Sequence, residues 1–517
     1  MKHKRFIFGY GFFSYAIFPF VASILFNAAY NHDFLRIWDG DIFFLLSQKA
    51  LITYLMFYSL FLILTLSRPI FAVLLPILVI LSSITGYFMN YYKILELSSQ
   101  SMAFVFESNI EETIGFIGNG LILSTTLSCI ASVLVAFFFT RKLISPVSIR
   151  SRLWLIAASS VLCVIVGISS EFPTPLPLPF SLFEAGSDYL KQDYLFKHLS
   201  GGRKDISAGS TLEGDKDMVL VLIIGESARP DHFHVNGYSR QTTPQIEQTG
   251  VLSFNDVTSC SDSTRVSVPC MLTRATSQDT SASARETSLI SIFKKVGFYT
   301  AWISNQRVRG DNDTPVTAIA KEASYLYFGN QRGDFIHIKL LDDDLLPVLD
   351  QSIQQPARRK LIILHTVGSH WYYEQHYSSD FRIFTPVCKR KEPRMCTDQE
   401  LINSYDNTIF YTDNFIRQVI DRVAGLRSLV FYVSDHGESL GEEGRFSHGQ
   451  GKEYPEQMKV PMLVWASPEF ASTDPEKVAA LKKNTTRALS HDDLFHSIPD
   501  CADIASPVVE KSMSVCR

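Results

Sequence analysis

The chain lacks an excess of basic charge. Its 48 Lys and Arg are outnumbered by 52 Asp and Glu, for a net charge of -4. No global basic patch is available for nucleic acid. No internal repeat is present, and none of the eight cysteines falls in a CxxC pair. That spacing excludes knuckle-type zinc modules. Charge is also scarce before residue 170, where long apolar segments follow one another. After that point the chain reads as an ordinary soluble α/β domain. A length of 517 residues allows two or three domains.

Five apolar segments are candidates to cross a bilayer, most of them on the order of 20 residues or more. They run Phe6–Tyr30, Phe43–Leu66, Pro69–Tyr91, Phe116–Thr140 and Leu153–Ile168. The last is shortest and contains Ser159 and Ser160; a buried soluble helix fits it as well. Lys2, Lys4 and Arg5 precede the first segment, Arg68 follows the second, and Arg141, Lys142, Arg150 and Arg152 follow the fourth. The other two connections carry Asp33, Arg36, Asp39 and Asp41, then Lys93, Glu96, Glu107, Glu111 and Glu112. The positive-inside rule puts the N-terminus in the cytoplasm, and five spans deliver the rest to the opposite side. No small-residue cleavage site follows the first segment, which reads as an anchor.

Three domains are expected: a five-helix membrane domain at 1–170, a linker at 171–214 and a catalytic domain at 215–517. The linker starts with the proline-rich stretch Glu171–Phe180 and continues as an amphipathic helix to Phe196. Phe183, Tyr189, Leu190 and Tyr194 are available there for lipid, although a plain linker helix fits equally well. Six cysteines lie in the exported part. Six permit 15 pairings; sequence proximity favours Cys260–Cys270, Cys388–Cys396 and Cys501–Cys516, as disulfides in an oxidising compartment.

Strand candidates after residue 215 are Met218–Ile224, Val251–Asn255, Tyr299–Ser304, Lys360–Leu364, Leu429–Val433 and Met462–Trp465. Helical patterns such as Leu289–Val296 and Glu400–Val423 alternate with them, which argues for a doubly wound α/β/α sandwich on a parallel sheet. Ligands of such sheets gather at the carboxyl ends of strands. The first strand runs into Gly225-Glu226-Ser227, and the fifth into Ser434-Asp435-His436-Gly437-Glu438. Each motif alone is only a strand followed by a polar loop. Together, Glu226, Asp435 and His436 make a ligand set that zinc accepts. A hydroxyl-rich loop, Thr258 to Cys270, adds a nucleophile for a metal to activate. Asn305, Gln306, His365, Ser369 and His370 follow other strands, and His448 lies in a Gly-containing loop. His370 and His448 lean towards function and His365 towards structure; His232, His234, His491 and His496 carry no assignment.

These segments resemble the membrane-bound phosphoethanolamine transferases of Gram-negative bacteria, a branch of the alkaline phosphatase/sulfatase superfamily. The resemblance rests on Gly225-Glu-Ser-Ala-Arg229, Gly237 to Pro244, Thr258-Ser-Cys260 with Ser267-Val-Pro-Cys270, Ser434 to Ser439 and Ser490-His-Asp-Asp-Leu-Phe-His496, in that order. It implies zinc on Glu226, Asp435 and His436, with the nucleophile Thr264 as fourth ligand. It implies roles for His370, His448 and Glu438 in acid–base chemistry, in holding phosphoethanolamine, or on a second zinc. Asn305, Ser108 and Glu112 fall at substrate-contacting positions; Phe104 stands where the family has an Asn. Asn305-Gln-Arg-Val-Arg-Gly310 lacks the cysteine and Lys of lipid A enzymes, and Trp371-Tyr372 follows His370 where many relatives have Gly-Pro. Both departures point to a different acceptor pocket.

The resemblance further implies an inner-membrane, multi-pass monomer with its catalytic domain in the periplasm. Phosphatidylethanolamine is the expected donor, and phosphoethanolamine passes through Thr264 to a lipopolysaccharide acceptor, either lipid A or core sugar. The alternatives are a phosphoglycerol transferase, or transfer of phosphoethanolamine to a periplasmic glucan or protein. A sulfatase would need Cys/Ser-x-Pro-x-Arg for formylglycine, which the chain lacks.

Overall fold

The computed structural model describes residues 48–64, 66–92, 97–107, 119–142, 149–169, 176, 178–199, 202–306, 314–330, 339, 341–449 and 454–517. The expected first span, Phe6–Tyr30, lies outside the described residues. So do Ser108, Glu112 and most of the proline-rich exit. The chain divides into two compact units, Met1–Met102 with Ile117–Tyr189, and Ala103–Phe116 with Leu190–Arg517.

The first unit is helical. Its main helices are α1 (Gln48–Leu64), α2 (Arg68–Tyr92), α3 (Asn119–Lys142) and α4 (Ile149–Ser169). Helix α1 packs on α4, and α2 on α3. Phe57, Phe61, Leu64, Phe71, Leu75 and Leu78 form the core between them. Ser59 and Ser159 meet at 2.7 Å; that bond gives both hydroxyls a partner in an apolar setting. Among the described residues, Pro69–Met89 is long and apolar enough to cross a membrane. The apolar stretches Tyr54–Leu64, Leu121–Ala131 and Leu153–Ile165 are shorter. Many outward side chains, including Val73, Leu123, Leu127 and Trp154, are apolar and exposed.

Helix α5 (Phe180–Leu199) follows the proline-rich exit. Phe183, Leu190 and Tyr194 are exposed along it, at spacings of seven and four that share one helical face. Tyr189 corrects the sequence expectation: it is buried, because it falls on the opposite side of that face.

The second unit is a seven-stranded sheet between helical layers. Its strands are β1 (Met218–Gly225), β2 (Leu252–Phe254), β3 (Tyr299–Ser304), β4 (Tyr325–Phe328), β5 (Arg359–His365), β6 (Ser428–Ser434) and β7 (Met462–Ala466). They lie in the order β2-β7-β6-β1-β5-β3-β4. The block from β6 to β4 is parallel, as expected. The sheet as a whole is mixed, because β7 runs antiparallel to β6, and β2 antiparallel to β7. Strand β4 escapes the sequence pattern because it is short and lies at the sheet edge, with Leu326 exposed and its other three residues half-buried.

Strand β1 shows why a continuous apolar run is needed. Met218, Leu220, Leu222 and Ile224 enter one core, while Val219, Val221 and Ile223 enter the other. Side chains alternate across a strand, so a sheet covered on both faces leaves no polar positions. Full burial of each contributes roughly 1.5–3 kcal/mol. Helix α6 (Thr264–Leu272) and helix α8 (Asp492–Cys501) cover the first face with Val268, Met271, Leu272, Leu494, Phe495 and Ile498. Between them in sequence, α7 (Asp398–Val423) covers the second with Leu401, Tyr405, Ile409, Ile416, Val419 and Val423. Thr397 and Glu400 close a capping box at the start of α7. All three expected disulfides are formed.

Candidate metal centre

Register brings the first two acidic residues together. Gly225 at the end of β1 pairs with Ser434 at the end of β6. Glu226 and Asp435 therefore leave adjacent strands side by side, and the Asp435 amide donates to Gly225 O at 3.0 Å. Thr264 arrives from the other direction, at the first position of α6. Cys260–Cys270 ties the loop before it to the last turn of the helix.

Four side chains converge. Thr264 Oγ1 is 3.2 Å from Glu226 Oε2 and 3.2 Å from His436 Nε2. His436 Nε2 is 3.3 Å from Glu226 Oε1 and 3.4 Å from Asp435 Oδ2. The ligands of a tetrahedral zinc at bond lengths near 2.0–2.1 Å lie roughly 3.3–3.4 Å apart. His436 Nδ1 is 2.9 Å from Gly437 O, a pure acceptor, so Nδ1 carries the proton and Nε2 offers its lone pair inward. Oδ2 of Asp435 is buried and accepts no hydrogen bond. A buried carboxylate oxygen aimed at other acceptors, with no donor, is the arrangement a cation resolves. The residues fit a zinc ion.

Electrostatics without a cation says the same. Burial drives Glu226 well above its ordinary range, and the Asp435 charge adds to the push. Burial also opposes ionisation of Asp435, yet attraction from the neighbouring His436 holds it below its usual value. Burial lowers His436, keeping the imidazole neutral and able to ligate. Glu226, His436 and His448 also place ligand atoms within 4.8 Å of one another. Asp435 is the better fourth neighbour, since its Oδ2 is unbonded while His448 is engaged with Glu438.

Supporting contacts aim the ligands. Ser227 Oγ donates to Glu226 Oε1 at 2.8 Å, and Gln306 Nε2 donates to Oε2 at 2.9 Å. Ser227 has φ 57°, a left-handed conformation that costs a non-glycine residue about 1–3 kcal/mol. Tyr405 on α7 holds that turn: its hydroxyl donates to Ser227 O at 2.7 Å and accepts from Arg229 N at 2.9 Å. Backbone crowds the ligands closely. A Cβ on Gly368 would lie 2.9 Å from Glu226 O, and one on Gly437 would lie 2.2 Å from Glu456 O.

A second polar group stands beside the four. His448 Nδ1 is 2.6 Å from Glu438 Oε2, and Tyr373 donates to Glu438 Oε1 at 3.3 Å. The His448 ring is centred 4.0 Å from His436 and 6.3 Å from His370. Burial pushes Glu438 up to about 7 and both His370 and His448 down to about 4. This cluster can hold and pass a proton near neutral pH.

Asn305 is not brought to the centre. Its amide is buried and donates to Leu341 O at 2.9 Å and Asp342 Oδ1 at 3.2 Å. Its neighbour Gln306 reaches Glu226 instead. Both residues follow β3, and the sequence does not say which side chain turns inward once strand alternation ends. Sequence reasoning gives no supporting role to Ser227 or Tyr405, and it names Gln306 beside Asn305 without a role. The polar neighbours of Glu226 and Asn305 carried a signal for Ser227 and Gln306; Tyr405 sits within an apolar helix face and carried none.

The cysteine bracket has a measurable role. A ten-residue span closed by Cys260–Cys270 contributes roughly 3 kcal/mol and limits the Thr264 loop. Cys260→Ser is expected to lower turnover more than Cys516→Ser does, at equal zinc content. Peptide mapping that finds both Cys260 and Cys270 as free thiols in active protein would overturn this.

Comparison with known proteins agrees with the geometry. The sulfatase family matches residues 219–504, and the family described as phosphoethanolamine transferase EptA/EptB matches residues 53–172. The Kdo(2)-lipid A phosphoethanolamine 7''-transferase of Escherichia coli strain K12 is 34% identical over 300 residues, 56% of this chain and 52% of that protein. The chain thus spans about half the length of that relative. The integral membrane lipooligosaccharide phosphoethanolamine transferase A of Neisseria meningitidis superposes with a TM-score of 0.75 at 25% identity, covering 97% of this chain and 96% of its own. The periplasmic domain of EptC from Escherichia coli, in complex with Zn, superposes with a TM-score of 0.56 at 25% identity, covering 61% and 90%. With its sheet, its convergent ligand set and both halves matched, the chain belongs to the sulfatase family, in its phosphoethanolamine transferase branch.

Proposed function

We propose that the protein is a zinc-dependent transferase that moves phosphoethanolamine from phosphatidylethanolamine to a lipopolysaccharide acceptor, on lipid A or the adjoining core sugar. The observation that carries this reading is the convergence of Glu226, Asp435, His436 and the Thr264 hydroxyl at 3.2–3.4 Å. The relative from Escherichia coli is named for transfer to lipid A, which supports the acceptor class.

Zinc, when held by Glu226, Asp435, His436 and Thr264, lowers the proton affinity of the hydroxyl and offsets charge on a bound phosphate. The hydroxyl stands at the first position of α6, where the positive end of the helix favours an anion. Thr264 Oγ1 passes its proton to the Glu438–His448 pair, which returns one when the hydroxyl is restored, and attacks phosphorus; the bond from phosphorus to the glycerol oxygen breaks, and diacylglycerol leaves. The Glu438–His448 pair, with His370 nearby, supplies a proton to the leaving oxygen and later accepts one from the incoming hydroxyl. An acceptor oxygen then displaces Thr264 and carries phosphoethanolamine away. His370, His448 and Glu438 also surround the phosphoethanolamine, or hold a second ion there. Ser108 and Glu112 contribute to ethanolamine recognition in this reading, a carboxylate being suited to an ammonium group.

The membrane placement is part of the proposal: five spans, an inner-membrane monomer and a periplasmic catalytic domain. The exposed apolar faces of α2, α3 and α4 and the disulfides of the second unit support it. The test is mass spectrometry of lipopolysaccharide from cells with and without this chain. Phosphoethanolamine added to lipid A or core is the expected result. Phosphoglycerol on the product, or modification confined to glucan or protein, would overturn it.

A further inference from the structure

We propose that His491 is a positioning residue that locks the Thr264 loop to the strand end bearing Asp435 and His436. This rests on Thr264 being the nucleophile. His491 is fully buried where the Ser490-His-Asp-Asp motif enters α8. Its Nε2 lies 3.0 Å from Ser434 O, the carbonyl directly before Asp435. Its Nδ1 lies 3.3 Å from the backbone N of Cys260. A carbonyl only accepts, so Nε2 carries the proton. An amide N–H only donates, so Nδ1 is bare. One neutral tautomer therefore satisfies both bonds.

Both flanks of this bridge are fixed. The His491 amide donates to Thr258 O at 3.1 Å. Leu489–Ser490 also pairs in parallel with Val257–Thr258. Cys260 is bound through its disulfide to Cys270 in α6, the helix that starts at Thr264. On the other side, Ser434 Oγ accepts from Ala228 N at 2.8 Å and donates to His436 O at 2.9 Å. A continuous set of bonds thus joins the ligand-bearing end of β6, the imidazole, the cysteine bracket and the nucleophile helix. An apolar side chain would fill the space but leave the Ser434 carbonyl and the Cys260 amide without the imidazole that pairs with them. Burial also holds the imidazole neutral, at about 4.

The two bonds can be removed separately. In H491N the amide oxygen stands near the place of Nδ1 and accepts from Cys260 N–H. In H491Q the amide nitrogen stands near the place of Nε2 and donates to Ser434 O. The first measurement is hydrogen exchange of the full purified chain, read by mass spectrometry on peptides spanning 257–264. H491A and H491Q should exchange the Cys260 amide on the order of tenfold faster than wild type, while H491N retains protection. The second is release of diacylglycerol from fluorescent phosphatidylethanolamine. H491A should lose on the order of 10²-fold in kcat, as misplacement of a reacting group predicts, with KM and zinc content within twofold. H491N should recover at least about fivefold of that loss.

Wild-type kcat in H491A, loss expressed in KM alone, or equal exchange in all variants would overturn the proposal. If H491A does not fold, H491N against H491Q decides by the same readouts. Failure of all three to fold would make His491 a residue of overall stability and overturn positioning. A wild-type chain that releases no diacylglycerol overturns the donor assignment instead, and the exchange measurement still decides the role of His491.

Discussion

Thr264→Ala is expected to abolish both diacylglycerol release and phosphoethanolamine transfer, a loss of at least about 10³-fold. The hydroxyl is the only one within 3.2 Å of both Glu226 and His436 among the described residues. Ser261, Ser263 and Ser267 are local rivals, but the Ser261 hydroxyl faces Ser263 at 3.5 Å and Asp262 at 3.4 Å, and Ser267 is buried within α6. Incubation of the full chain with phosphatidylethanolamine, without acceptor, should place phosphoethanolamine on Thr264. Thr264→Ser keeps the oxygen but loses the methyl that restricts its rotamer, so a fraction of activity should survive. Tandem mass spectrometry locates the adduct. Finding it on Ser261 or Ser263 would move the nucleophile; finding phosphoglycerol on Thr264 when both lipids are offered would change the donor.

Metal removal gives the second large effect, and Glu226→Gln inverts it. Zinc at about 1,000 times its Kd stabilises the folded chain by about 4 kcal/mol, which for a domain of this size raises Tm by roughly 10 °C. Stripped of metal, the wild-type site holds two buried carboxylates facing each other. Gln at 226 avoids the cost of burying that group as an anion or of binding a proton to keep it neutral. Its amide oxygen can keep the Gln306 bond, while its NH2 faces Ser227 Oγ, which can accept. The stripped Glu226→Gln protein should therefore melt higher than stripped wild type, while the zinc-loaded order is reversed. Calorimetry of the four samples checks this. A stripped wild type as stable as the loaded one would contradict a metal site between these residues.

Much of the centre was legible in the sequence because parallel strands announce themselves. Continuous apolar runs ending in Gly225-Glu226 and Ser434-Asp435 read as buried strands of a parallel sheet, whose carboxyl ends share one edge. The nucleophile was legible through its bracket of cysteines together with family resemblance. The supporting residues were not. Tyr405 reaches Ser227 across 178 positions, a contact that no local pattern encodes. Asn305 and Gln306 stand next to each other at the end of β3, and which amide meets Glu226 depends on backbone direction after the strand. The mixed edge of the sheet was hidden for another reason: Met462–Ala466 is apolar whichever way it runs, so composition says nothing about polarity of the strand.

The pairing of Gly225 with Ser434 also bears on how such a site can diversify. The two acidic ligands meet only because two strands end at the same level. Apolar residues within either strand can be exchanged for others of similar size at modest cost. A single insertion or deletion within either strand would instead rotate its last residues to the opposite face and separate the ligands. Sequence drift in β1 and β6 should therefore consist of substitutions, while changes in chain length accumulate in the connections around them. New acceptor preferences can then arise by remodelling loops, with the chemistry left unaltered beneath.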